Sequence, residues 1–128
     1  MNRKSFLTTI TVLGTAGITS AMQTETKPLL HHVFFWLSNP GSAADKQQLI
    51  EGLKTLAAIP SVRKLHIGTL ASTEKRDVVD TSWDVSELMF FDDAAGQKVY
   101  QDHPIHQAFV KNYAHLWKKV LVYDAIDI

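Results

Sequence analysis

The sequence predicts one α+β domain with elements in the order βαββαβ, an antiparallel sheet carrying its helices on one face. Three observations carry that prediction. The stretches 29–37 and 120–123 are apolar on both alternating faces, which marks strands covered on both sides. Apolar residues recur at helical spacing in two intervening stretches, at about 45–58 and 92–117. The chain has 128 residues, 45% hydrophobic and 20% charged, which is ordinary globular material for one domain and too little for two.

The elements follow in order. Residues 1–21 run from basic Arg3 and Lys4 through Phe6-Leu7-Thr8-Thr9-Ile10 to the small residues Thr19-Ser20-Ala21, the layout of a signal peptide cleaved after Ala21. The apolar run is too short for a permanent membrane span, which needs about 20 apolar residues. Residues 22–28 read as a short linker and 29–128 as the domain. Leu29 to Leu37 is the first strand, bounded by Pro28 and by Asn39-Pro40-Gly41. Ser42 or Asp45 caps a helix running to about Ala58, with Leu49, Ile50, Leu53, Leu56 and Ala57 on one stripe, and Pro60 ends it.

Val62 to Leu70 reads as the second strand, and Ser72 to Thr81 as a polar connection. The third strand, Trp83 to Phe91, places Trp83, Val85, Met89 and Phe91 on one face, interrupted by Glu87. Asp92 and Asp93 start a second helix, broken at His103-Pro104 because proline lacks an amide donor and biases its predecessor away from helical geometry. After the restart, His106, Val110, Tyr113 and Trp117 share an apolar face. Lys119 to Ile126 is the last strand. This order is the split βαβ, or ferredoxin-like, arrangement, whose helices leave one sheet face bare. The doubly apolar strands then call for a second copy of the same sheet, making the chain a homodimer through that face.

Composition removes several function classes. Lys plus Arg is 13 and Asp plus Glu is 13, so no basic excess exists to track a nucleic acid. There is no cysteine, which excludes disulfide frameworks, thiolate metal sites and cysteine nucleophiles. The signal peptide places the product outside the cytoplasm, periplasmic or secreted.

Chemistry concentrates in Tyr100-Gln101-Asp102-His103-Pro104-Ile105-His106. Imidazole titrates near neutrality and can take a proton from a carbon or oxygen acid, while a phenol can donate to a developing enolate. The competing structural reading makes His103 a cap, His106 a core histidine and Tyr100 packing. His31 and His32 point to opposite faces of the first strand, so one of them can meet His106 across the sheet-to-helix space. No familiar metal-ligand spacing is present, and neither metal nor cofactor is expected. Asp84 and Glu87 read as edge or rim charges. Trp36, Trp83 and Trp117 read as core or interface anchors, or as aromatic walls of a ligand pocket.

Leu30-His31-His32-Val33-Phe34-Phe35, Ile59-Pro60-Ser61-Val62, the Tyr-x-x-His-Pro-x-His stretch at 100–106 and Trp117 to Asp124 together resemble the stress-responsive A/B barrel (Dabb) family over the whole mature chain. The resemblance implies a dimeric α+β barrel with its two sheets facing each other. It also implies a pocket for a small apolar ligand between sheet and helices, lined by His32, Tyr100, His103 and His106, with Trp36 among the binding residues. Family members range from plant stress proteins to olivetolic acid cyclase, a polyketide cyclase. By that likeness the catalytic pair would be His106 as general base and Tyr100 at the carbonyl.

Overall fold

The first strand, β1 (Leu29–Leu37), organises the molecule. In this computed structural model, which describes residues 26–128, β1 alternates between half-buried and buried positions from Leu30 onward. His31, Val33, Phe35 and Leu37 face the helices, while His32, Phe34 and Trp36 face the other way. β1 pairs antiparallel with β3 (Val85–Phe91) on one side and β4 (Trp117–Ile126) on the other. β2 (Lys64–Gly68) adds to β3, giving one antiparallel sheet of order β2-β3-β1-β4, the ferredoxin-like arrangement. The signal-peptide reading at 1–21 and most of the linker lie outside the described residues.

α1 (Ala43–Lys54) is capped by Ser42, whose hydroxyl accepts from Asp45 N at 3.1 Å. Leu49, Leu53 and Leu56 are buried completely against the sheet. Ala57, expected on the same stripe, is exposed because Thr55–Ala58 tightens to a 3₁₀ turn and rotates the next position off the face. The second helical stretch divides into α2 (Ala94–Asp102) and α3 (Pro104–Tyr113), with a 3₁₀ turn at Ala114–Leu116. Asp93 caps α2 through Gly96 N, at 2.8 Å.

Strand limits differ from the sequence reading where partners run out. β2 stops short of Leu70 because β3, its partner among the described residues, begins at Val85, one residue before the Ser86 that pairs with Gly68. β4 starts two residues earlier than Lys119, since Trp117 pairs with Leu37 through a register shift after Trp36. Trp83 is not on the Val85 face. It precedes the strand, and Asp84 fixes the bend by donating its amide to Phe35 O and accepting from Leu37 N at 2.8 Å. Trp83 therefore meets Phe34 on the bare sheet face, with ring centroids 5.2 Å apart.

α1 and α3 approach closely at Gly52, where an added Cβ would sit 2.8 Å from the Tyr113 ring. Alanine is the better helix former, but the clash falls on the root of an aromatic ring that packs on Phe109 and has little room to retreat. Gly52→Ala is expected to destabilise the fold by about 1–2 kcal/mol in chemical denaturation. An unchanged or raised midpoint would contradict this close approach.

Candidate functional site

A cavity of about 330 Å³ lies between the β1–β4 half of the sheet and helices α2 and α3. Its walls are mainly apolar, with Val33 and Phe35 from β1, Phe109 from α3 and Trp117 from β4. Val120 and Val122 of β4 line it while remaining 44% exposed, which places the mouth along the β4 edge. The polar lining is sparse: His31, Glu87, Tyr100, Gln101 and His106. Such a balance suits a small apolar molecule oriented by a few polar groups.

The Tyr100 ring stands between the two imidazoles, 5.6 Å from His31 and 4.7 Å from His106 by ring centroids. His31 is only 5% exposed, and its Nδ1 lies 2.6 Å from Asp124 Oδ1. Strand register explains the meeting, since His31 of β1 is the direct partner of Asp124 on β4. A carboxylate can only accept, so Nδ1 carries the proton and donates it to Asp124. His106 is half-buried. Burial holds its imidazole below the ordinary histidine range, partly offset by the Gln101 carbonyl, with His31 nearby acting in the same direction as burial. It is therefore an uncharged base at neutral pH.

Glu87 is buried, 2% exposed, and lines the cavity floor rather than the rim position expected from sequence. The period-two pattern of β3 pointed it inward, opposite Val33 of β1. The Tyr100 hydroxyl donates to its Oε1 at 3.3 Å. Burial pushes the Glu87 carboxyl up to about 8, and the Tyr100 bond only partly opposes this. The same burial, then the proximity and hydrogen bond of Glu87, drive the Tyr100 phenol above its ordinary range. At neutral pH both are uncharged.

The other candidates fall elsewhere. His32 lies on the bare face of the sheet, its ring tilted against Phe34 with centroids 4.3 Å apart, so the histidine that faces the helices is His31. Burial is the main cause that lowers the His32 imidazole, followed by His66 and His31. His103 does not line the cavity. It caps α3, its Nδ1 accepting from Ile105 N at 3.0 Å. Trp36 lines a second hollow of about 230 Å³ on the bare face, with Phe34, Trp83 and Tyr123, and donates Nε1 to Ser82 Oγ at 3.0 Å. Of the three tryptophans, Trp117 alone lines the helix-side cavity. Asp124 was not singled out in the sequence; the antiparallel register that pairs it with His31 is a tertiary fact. Among the described residues no group of three or more His, Asp or Glu side chains could hold a metal ion, and no helix is long and apolar enough to cross a membrane.

The Glu87 proton is linked to stability. The folded chain holds it to about pH 8, whereas a free carboxyl releases it near 4.5. Between those values the folded state binds more protons, so stability falls as pH rises. Denaturation of Glu87→Gln and of the unaltered protein, compared across this range, is expected to show the variant gaining by a few kcal/mol toward alkaline pH. A difference that stays constant with pH would show that Glu87 is ionised or solvated.

A family model described as the stress responsive A/B barrel domain matches residues 29–127. Comparison with curated proteins gives no match. Among solved structures, a Dabb family protein with a ferredoxin-like fold from Mesorhizobium loti is 25% identical, with TM-score 0.65, covering 80% of this chain and 98% of that one. A dimeric ferredoxin-like protein of unknown function from Thermobifida fusca is 21% identical, with TM-score 0.64 over 80% of this chain and 93% of that one. The hydroxynitrile lyase of Passiflora edulis is 19% identical, with TM-score 0.67, covering 80% and 95%. At these identities the structural likeness speaks for the fold. The family model, spanning the whole described domain, settles membership: the chain belongs to the stress responsive A/B barrel, or Dabb, family.

Proposed function

We propose that this protein is an exported homodimer whose cavity takes up a small, mainly apolar carbonyl compound and moves a proton on it. The observation that carries the reading is the pair of imidazoles flanking Tyr100 in one cavity, the first held by Asp124 and the second uncharged at neutral pH. His106 takes a proton from carbon next to the carbonyl. His31, held in place by Asp124 through Nδ1, presents Nε2 as a second site through which the proton can leave or return. That one neighbour of this fold is a hydroxynitrile lyase supports treating the cavity as a place of reaction. The alternative of a stress-related binding protein shares the cavity but forms no product.

A panel of β-dicarbonyl compounds and cyanohydrins, followed by product formation, tests this reading. His106→Ala is expected to lower turnover by about 10²–10⁴-fold with the fold intact. Asp124→Asn should reduce it less and alter its pH profile, since it releases the His31 tautomer. Saturable binding without turnover across the panel would leave a carrier, and unchanged turnover in His106→Ala would remove the base.

The dimer rests on the bare sheet face. Phe34, Trp36, Leu121 and Tyr123 lie there, Tyr123 60% exposed, and neighbours of this fold are described as dimeric. Apolar patches of this kind mark association surfaces. Native mass spectrometry of the protein from the exported fraction is expected to show dimers of chains beginning at Met22, and Phe34→Asp to yield monomers. Full-length chains would overturn export with cleavage after Ala21; monomers of the unaltered protein would overturn the sheet-to-sheet assembly.

A further inference from the structure

One buried group takes no part in the proton transfer just described. Glu87 rises from the sheet floor of the cavity, and among the described residues its hydrogen-bond partner is the Tyr100 hydroxyl on Oε1. No lysine or arginine lines this cavity, and the His31 imidazole that lines it is engaged by Asp124. An ionised carboxylate would stand here without a cation, at a cost of several kcal/mol. We propose that the Glu87 carboxyl is the inner polar anchor of the cavity, selecting ligands whose buried end is a neutral acceptor such as a carbonyl, hydroxyl or nitrile over ligands ending in a carboxylate. The inference rests on the proposed use of the cavity and names the ligand class for it.

The hydrogen bonds run in one direction. Tyr100 donates to Oε1, so the acid proton sits on Oε2 and is offered to the ligand. Burial keeps that proton in place up to about pH 8. In a chain of this kind each bond polarises the next. When His106 removes the proton from carbon, the C–H electron pair becomes a C=C bond and the carbonyl π pair moves onto oxygen. The Glu87 O–H is the donor that meets that oxygen, and Tyr100 acts through Glu87 as a positioning residue. A ligand carboxylate in the same place would lose its hydration with no cation to replace it.

Acetophenone and benzoate are matched probes small enough for the cavity, and calorimetry on the folded dimer compares them. At neutral pH the unaltered protein is expected to prefer acetophenone by about tenfold or more, and Glu87→Met to lose about 10- to 100-fold in acetophenone affinity. Glu87→Gln retains a neutral donor and should retain most of the preference. Raising pH through about 8 should weaken acetophenone binding in the unaltered protein and not in Glu87→Gln. His31, Tyr100, His106 and Asp124 surround the same cavity and are common to both proteins, so their titration cancels. Equal preference in the unaltered protein and Glu87→Met, or absence of saturable acetophenone binding, would overturn the proposal. Preference without turnover of any carbonyl compound would support the anchor while removing the catalytic reading. Turnover in Glu87→Met with unchanged KM would overturn the anchor alone.

Discussion

Strand β1 is hydrogen-bonded on both sides, and that constraint sets most of what this molecule can do. A central strand cannot rotate its side chains, because a slip of one residue would break two ladders and send every side chain to the opposite face. The two ladders therefore fix His31, Val33 and Phe35 toward the helices and His32, Phe34 and Trp36 away from them. From the same register come the partners of the cavity. β4 delivers Asp124 to His31, and β3 delivers Glu87 opposite Val33. Neither contact requires a loop to hold it, so both are set by strand pairing alone.

The order of elements was legible because the signals were local. Nine residues apolar on both faces, a serine three residues ahead of its amide partner, and proline after histidine each specify a piece of backbone without help from distant sequence. The site was legible only in part. Tyr100 and His106 were accessible because one short segment carries both. The choice between His31 and His32 was not, since two adjacent strand residues are equivalent until the helix layer is placed. Glu87 shows a different limit. Its position in the alternation pointed inward, but the general expectation that a carboxylate seeks water pointed outward, and the alternation won. What reconciles the two is protonation, which a sequence does not display.

Burying Glu87 works against stability at neutral pH, because the carboxyl must be kept uncharged where the unfolded chain would ionise it. An apolar residue of similar volume would fill the same floor without that cost. A fold that keeps such a group holds strain where a ligand would touch it, the pattern expected when polar groups are arranged for recognition rather than for stability. The apolar walls act together with it. By excluding water they keep the carboxyl neutral, hold His106 uncharged and strengthen every hydrogen bond made inside. Polar lining and apolar wall are thus one electrostatic unit.

The break at His103 gives this unit its geometry, although His103 itself lies outside the cavity. In an unbroken helix, six residues advance about 600°, which would leave the side chains of Tyr100 and His106 about 120° apart around the axis. His103 instead adopts an extended backbone with ψ 140°, and Pro104 begins a new helix on a new axis. The rings of Tyr100 and His106 then meet at 4.7 Å. The His103 imidazole stabilises the restart by accepting from Ile105 N, one of the amides that a helix start leaves unpaired. The stretch from Tyr100 to His106 is therefore one geometric unit. Phenol and imidazole stand at its two ends, and the His-Pro break between them turns both toward the same cavity.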